Sequence, residues 1–379
     1  MRIGFISTYP PIECGIATYT QYLTEALRGK GADVYIVSHI GGAGPQVFPT
    51  FDYEDGDLAE KAFSAMIRFT PDVVHIQHEF GLYGKHYGVS VIPLILQFQL
   101  LGIPVVTTLH TVYQELGSSH RLILDSILHN SNRVVVHEKY QHRVLSDFFP
   151  SDLVKKIHTI PHGARLVDPI PDAKRRLGLP PDRKVILLIG YIRPSKNFEL
   201  IVDIFPEILK LYPKALLVMA GKTRGQEFVE YRNILFERIA SSPAKESIVI
   251  IRGQLPQQVF DTVLAAADVV ALPYKIVSQS GILAHCLSFG RPLVTSRGRS
   301  LADTIDLAGA GIVCGSRSEF IEQIVRLLSD DEFAKRLSEN GRKFVRDTIS
   351  WPLIAEKHLD IYKEITGIPN LKIRIISTR

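Results

Sequence analysis

Only three cysteines occur in 379 residues: Cys14, Cys286 and Cys314. So small and odd a set builds no disulfide framework, and no pair has metal-ligand spacing. A reducing cytoplasm is the expected compartment. Long apolar runs are also missing. The longest, GVSVIPLILQFQLLGIPVV, is interrupted by Pro93, Gln97, Gln99, Gly102 and Pro104. It falls short of the roughly 18 uninterrupted apolar residues of a membrane-spanning helix. Contact with the inner face of a membrane is the one membrane role left open. The opening MRIGFISTYPP has too short an apolar run for a signal peptide and no small-residue cleavage site; it reads as a first buried strand. There is no dense Lys/Arg block, and a net charge of +5 with pI 8.9 is mildly basic. That balance suits an anionic ligand or membrane surface and does not require nucleic acid.

Several motifs are absent too. No G-x-G-x-x-G follows an expected strand, so a dinucleotide-dependent dehydrogenase has no support. Gly221-Lys222-Thr223 resembles the end of a phosphate-binding loop, but that pattern's first glycine would fall at Leu216, inside a strand. Asp55-Gly56-Asp57 is a lone Asp-x-Asp in an acidic turn and is expected to cap a helix, so no metal site is expected.

What is present is alternation. Val- and Ile-rich runs apolar on both faces read as buried parallel strands: 2–7, 33–38, 72–77, 104–110 and 133–137, then 184–190, 215–221, 247–253, 268–274, 292–296 and 311–315. Amphipathic helical stretches such as ATYTQYLTEALRGKG and FELIVDIFPEILKLY fill the gaps, which is the pattern of an α/β protein. The alternation pauses at 164–183, whose four prolines and many charges make it the best linker candidate. Two α/β domains are expected, 1–165 plus 352–379 and 166–351. A last helix is expected over about 352–365 after Ser350-Trp351-Pro352, and the closing LKIRIISTR has no readable role.

In open parallel sheets ligands bind beyond the carboxyl ends of the strands. After the first strand, Gly15 opens a helix, where it lets backbone approach a ligand and offers free amides to an anion. His110 ends the fourth strand and is expected to donate to a substrate hydroxyl or phosphate. His78 follows the third strand and is a secondary candidate, whereas His75, His137 and His162 read as structural. Arg193 and Lys196 follow the first strand of the second half and place two cations beside a helix start, a diphosphate clamp. Gln279-Ser280-Gly281 opens an apolar helix, so the amides of Gly281, Ile282 and Leu283 would face an anion, with the Ser280 hydroxyl adding a donor.

These pieces, in this order, resemble the retaining glycosyltransferases of the GT-B fold, family 4. The segments that carry the likeness are ECGIATYTQYLTEAL, PDVVHIQHE, PVVTTLHT, IPHGA, GYIRPSKNFELI, LLVMAGK, AADVVALPY, SFGRPLV and SWPLIAEKHLDIY, over nearly the whole length. The resemblance implies two Rossmann-like domains facing a cleft, with a closing helix that returns to the first domain. It implies that Gly15 lies in the loop closing over the donor phosphate, and that His110 contacts the transferring sugar or the acceptor. It implies that Lys196 holds the donor diphosphate, with Arg193 replacing the family's arginine at the position of Tyr191. Gly253 and Leu255 match the backbone segment that touches the base, and Gly281, Ile282 and Leu283 match the amides that bind diphosphate and sugar. There is one departure. The family usually has two glutamates around this last helix, and an ungapped count from Pro273 to Gly290 puts Val277 and His285 at those positions. Gln279 and Ser280 are the stand-ins, and Asp303 falls near another family glutamate.

The function implied is metal-independent, retaining transfer of a hexose. The donor would be a GDP- or UDP-linked sugar, with GDP-mannose ahead of UDP-glucose, and the acceptor a saccharide, glycoconjugate or small-molecule hydroxyl. No other cofactor is expected. The alternatives are another enzyme of the same fold, such as a sugar-nucleotide epimerase or phosphorylase, or a nucleotide-sugar-binding homologue without catalysis. The sequence does not set the oligomeric state.

Overall fold

The computed structural model describes residues 1–223, 227–253, 255–275 and 281–367. The chain divides into two compact units, Met1–Gly163 with Trp351–Arg379, and Ala164–Ser350.

The first unit holds seven parallel strands: β1 (Arg2–Ser7), β2 (Asp33–His39), β3 (Val47–Phe51), β4 (Val73–His78), β5 (Val105–Leu109), β6 (Arg133–Val136) and β7 (Ile157–Thr159). Their order is β3-β2-β1-β4-β5-β6-β7. β4 and β5 are buried along their whole length, as strands covered by helices on both faces must be. The first helix, α1 (Gly15–Gly29), buries Thr20, Leu23, Thr24 and Leu27, the i, i+3, i+4, i+7 stripe of a helix lying on a sheet. The helix Trp351–Thr366 packs in this unit as well. Its Trp351 ring meets Tyr19 edge-on at 5.2 Å, and a Cβ on Gly163 would come within 2.3 Å of that indole. Ion pairs Lys30–Glu356 and Arg133–Glu364 pin its outer face.

The second unit holds six parallel strands: β8 (Lys184–Ile189), β9 (Ala215–Gly221), β10 (Ile248–Arg252), β11 (Val269–Leu272), β12 (Leu293–Ser296) and β13 (Gly311–Cys314). Their order is β10-β9-β8-β11-β12-β13. In both sheets the order reverses once, between β1 and β4 and between β8 and β11. Those reversals are the topological switch points at which doubly wound sheets open a crevice for ligands.

Three details differ from expectation. The strands β3 and β7 lie at the two edges of the first sheet; VFPTF is half-exposed and carries a proline, and IHT is three residues long, so neither shows the buried apolar signature. The candidate linker 164–183 belongs to the second unit. Ala164, Ala173 and Leu179 are buried in its core, Ala173–Arg176 forms a helical turn, and Lys174 pairs with Asp268 at 2.7 Å. Asp57 occupies the position before a helix, Leu58–Ile67, but its carboxylate does not cap it. Lys61 takes both Asp55 and Asp57 instead, at 3.1 and 3.0 Å.

Candidate active site

At the first switch point, β5 delivers His110 and β4 delivers Gln77 and His78. His110 is 5% exposed, and its backbone N–H donates to His78 O at 3.1 Å. The ring Nε2 lies 2.8 Å from Gln77 Oε1. An amide oxygen only accepts, so Nε2 carries the proton and donates. Burial, with His137, His162, His75 and His78 nearby, holds the imidazole well below its ordinary pKa, so it is neutral. In this arrangement His110 faces a ligand as an acceptor where the sequence suggested a donor. Its N–H is committed to Gln77, and among the described residues Nδ1 remains as an acceptor for a hydroxyl.

Tyr19, from α1, is the hub behind His110. Its ring meets His110 at 4.8 Å, His137 at 5.0 Å and His162 at 5.2 Å. His137 donates Nδ1–H to Ile160 O at 3.0 Å, and His75 is held between Tyr362 Oη at 2.5 Å and Thr108 Oγ1 at 2.7 Å. Those contacts are structural in character.

His78 is different. It is fully buried, its pKa is pushed down to about 3 by burial, and neither ring nitrogen has a partner among the described residues. Gln77 Nε2 and Thr8 Oγ1 are orphaned in the same way. Buried polar atoms are almost always paired, so several orphans at the carboxyl ends of β1 and β4 point to a ligand that completes them. Gly15 begins α1 with no side chain capping the helix, and a Cβ there would meet nothing within 4 Å. That backbone is open to approach.

At the second switch point, β8 runs into Gly190, at φ 122°. The neighbouring Gly221 has φ 150°, and a Cβ there would stand 2.0 Å from Gly190 O. Only glycine permits that backbone contact. A Cβ on Gly190 would lie 3.7 Å from Ile282 Cγ1, so the start of the helix Gly281–Ser288 stands beside the end of β8. A short 3₁₀ turn, Pro194–Lys196, then turns Lys196 inward while Arg193 stays exposed. Lys196 is 7% exposed, and its Nζ sits 3.4 Å from the centroid of the Tyr274 ring. Among the described residues no carboxylate pairs with it. Burial, then the nearby Arg193 charge, holds the ammonium well below its ordinary pKa.

Gly253 follows β10 with φ 110°, and its N–H donates to Gly221 O at 3.2 Å. Leu255 packs half-buried on the core of the unit. Leu283 is buried, and Gly281 and Ile282 are half-buried. His285, on the same helix, points at Phe260, with ring centroids 5.1 Å apart, and burial lowers its pKa to about 4. Gln279, Ser280 and Val277 lie outside the described residues. Asp303 lies on the helix Arg299–Ala308. Gln77 and Tyr274 escaped the sequence reading. A glutamine flanked by apolar residues in a fully buried strand was the available signal for the first; nothing marked the second.

A family model described as "Glycosyl transferases group 1" matches residues 169–344, and one described as "Glycosyltransferase Family 4" matches 14–167. The chain belongs to the family 4 glycosyltransferases of the GT-B fold. Curated members of this glycosyltransferase family are distant relatives. A D-inositol 3-phosphate glycosyltransferase of Corynebacterium kroppenstedtii is 24% identical over 82% of this chain and 74% of its own. A phosphatidyl-myo-inositol mannosyltransferase of Mycobacterium leprae is 21% identical over 96% of this chain and 97% of its own. Among solved structures, HepE of Anabaena in complex with UDP superposes with a TM-score of 0.77 at 12% identity, covering 96% of this chain and all of that one. That likeness is one of fold. The protein is a glycosyltransferase, and among the described residues no helix is long and apolar enough to cross a membrane.

Proposed function

We propose that this glycosyltransferase moves a hexose from a GDP- or UDP-linked donor to a hydroxyl acceptor with retention of configuration and without a metal. One observation carries the reading: Lys196 is buried with no carboxylate partner among the described residues, placed at a switch point beside a helix start. A cation kept out of water without a counter-ion awaits an anion, and the diphosphate of a nucleotide sugar supplies one. Arg193, at the mouth of the same turn, and the amides of Gly281, Ile282 and Leu283 add to the clamp. The assignment of Gln279 and Ser280 to the donor rests on the family resemblance.

In the reaction the bond from the anomeric carbon to the donor phosphate oxygen breaks, and a bond to the acceptor oxygen forms on the same face. The acceptor's proton passes to the leaving phosphate, so no enzyme carboxylate is required. His110, neutral and with Nδ1 open, accepts a hydrogen bond from a hydroxyl of the sugar or acceptor and orients it. Gly15 and His78 are assigned to the same end of the reaction. Both carboxylates of the Asp-x-Asp are engaged by Lys61, which supports a metal-free clamp. The names of the two inositol-linked relatives recommend inositol phosphates as first acceptors to try, with mannose before glucose as the sugar.

The test is a screen of GDP- and UDP-hexoses against inositol phosphates and simple saccharides, with and without EDTA. Proton NMR of the fresh product reads its anomeric configuration. Transfer in EDTA with the donor's configuration is expected. An inverted product, or strict dependence on Mg²⁺ or Mn²⁺, would overturn the mechanism.

A further inference from the structure

The loops that leave β4 and β5 carry an aromatic cluster that the proposed reaction does not use. Phe80 follows β4 and Tyr113 follows β5; their rings stack with centroids 5.9 Å apart and planes 17° from parallel. His120, in the first turn of the helix Ser118–Asn130, meets Phe80 edge-on at 4.7 Å and Tyr113 at 4.8 Å. Tyr87 closes the group, edge-on to His120 at 5.0 Å. Phe80 is the buried base, whereas Tyr87 and Tyr113 are 49% and 42% exposed. Two tyrosines on one shared base make a contiguous shelf rather than a scatter of surface rings.

Tyr87 is held out at a cost. His86 and Tyr87 both have left-handed backbone, φ 55° and 60°, between Gly84 at φ 80° and Gly88 at φ 70°. Successive non-glycine residues rarely take that conformation, and it persists only where the surroundings impose it. Gly88 is part of what imposes it: a Cβ there would stand 3.0 Å from Phe80 O, so the loop is pressed onto the residue that carries the shelf. Strain of this kind collects at ligand clamps.

The shelf adjoins the acceptor end of the site. The Phe80 ring lies 5.1 Å from His78, whose two buried ring nitrogens have no partner among the described residues. Apolar ring faces thus stand beside neutral hydrogen-bonding atoms. A pyranose matches that pairing: its C–H face lies against the electron-rich face of an aromatic ring, and its edge hydroxyls reach polar groups. An acyl chain would leave the His78 nitrogens unpaired. Charge narrows the choice further. Segments 79–84 and 111–120 contain Glu79 and Glu115 and no lysine or arginine. Burial, then the Glu79 carboxylate, raises the Tyr113 phenol, so that charge lies close to the shelf. Lys85, the next cation along the chain, is paired with Glu54 at 2.9 Å. An anionic ligand here meets like charge.

We infer that Phe80, Tyr87, Tyr113 and His120 form a subsite for a second, uncharged pyranose ring of the acceptor, so that the enzyme extends saccharides of two or more rings in preference to single sugars. The inference rests on the hydroxyl-acceptor reading above.

Calorimetry and saturation-transfer NMR on the full chain test it, with neutral mono- and disaccharides of glucose, mannose and galactose as probes. The best disaccharide is expected to bind about 10-fold tighter than its own monosaccharide, the scale of one added stacking contact. Its ring protons beyond the first sugar should receive saturation. The Tyr87→Ala/Tyr113→Ala double variant should bring the disaccharide down to the monosaccharide's affinity. The Tyr87→Phe/Tyr113→Phe variant keeps the rings and should keep the preference, which separates stacking from a folding defect. A disaccharide carrying a glucuronic acid ring should bind more weakly than its neutral counterpart. Equal affinity for one ring and two, a preference unchanged in the alanine variant, or tighter binding of the glucuronic acid probe would overturn the subsite, although the acceptor reading would stand. Binding to phosphatidylglycerol vesicles that the alanine variant loses would make the occupant a lipid and would also overturn it. Failure of every saccharide to bind a chain that binds UDP or GDP would remove the saccharide acceptor and this inference together.

Discussion

Lys196 Nζ rests 3.4 Å from the centre of the Tyr274 ring. The two residues follow β8 and β11, the parallel neighbours at which the strand order of the second sheet reverses. The ring face offsets part of the cost of burying the ammonium, an effect of about 0.5–2 kcal/mol. The remainder is left for a ligand anion to recover.

Replacing this lysine should separate function from stability. Lys196→Ala is expected to cut turnover by about 10²-fold or more, the scale of losing a charge that stabilises a leaving group. Lys196→Met keeps the volume and removes the desolvation penalty, so it should be equally inactive yet raise stability by on the order of 1 kcal/mol. Activity assays and thermal melts of both variants check this. Near-normal turnover in either would remove Lys196 from the clamp.

Diphosphate binding should draw in protons. The free enzyme holds the Lys196 ammonium well below its ordinary pKa, mainly through burial and then through Arg193. A bound anion favours the charged form and raises that pKa. Affinity therefore falls as pH rises through the lysine's pKa, and binding at lower pH in the window takes up protons. Titrations with UDP or GDP in buffers of different ionisation enthalpy would measure the uptake. The same heat in every buffer at every pH tested would contradict it.

Buried histidines should make the fold acid-sensitive earlier than its carboxylates alone would. Burial lowers His78 to about 3 and His137, His285 and His358 to about 4. In the unfolded chain these groups titrate near 6.5. Between those values the unfolded state holds protons that the folded state does not, so stability falls as pH drops from about 6.5 toward 4. Each group contributes up to about 1.4 kcal/mol per pH unit. Urea denaturation between pH 7 and pH 5 should show the decline, and a flat profile would refute neutral burial.

Much of the site was legible because it lies where the chain changes period, from a buried strand to a helix. That is why His110, Lys196 and the Gly281 helix start could be picked out by position. Their working states could not. The proton on His110 is set by Gln77, a neighbour across the sheet, and the burial of Lys196 with no carboxylate beside it among the described residues is visible only in the fold.

The sequence by itself determined the two-sheet α/β architecture, through Val- and Ile-rich runs that must be covered on both faces, and determined the family, through the order of its motifs. Tertiary structure decided the edge strands β3 and β7, whose half-exposed residues carry no apolar signature. It also decided that the proline-rich 164–183 segment packs on the second unit, since Ala164, Ala173 and Leu179 bury there despite the charges between them. Above all it decided electrostatics. Whether a lysine or histidine is charged depends on solvent exclusion and on groups distant in sequence, and neither is written in local pattern.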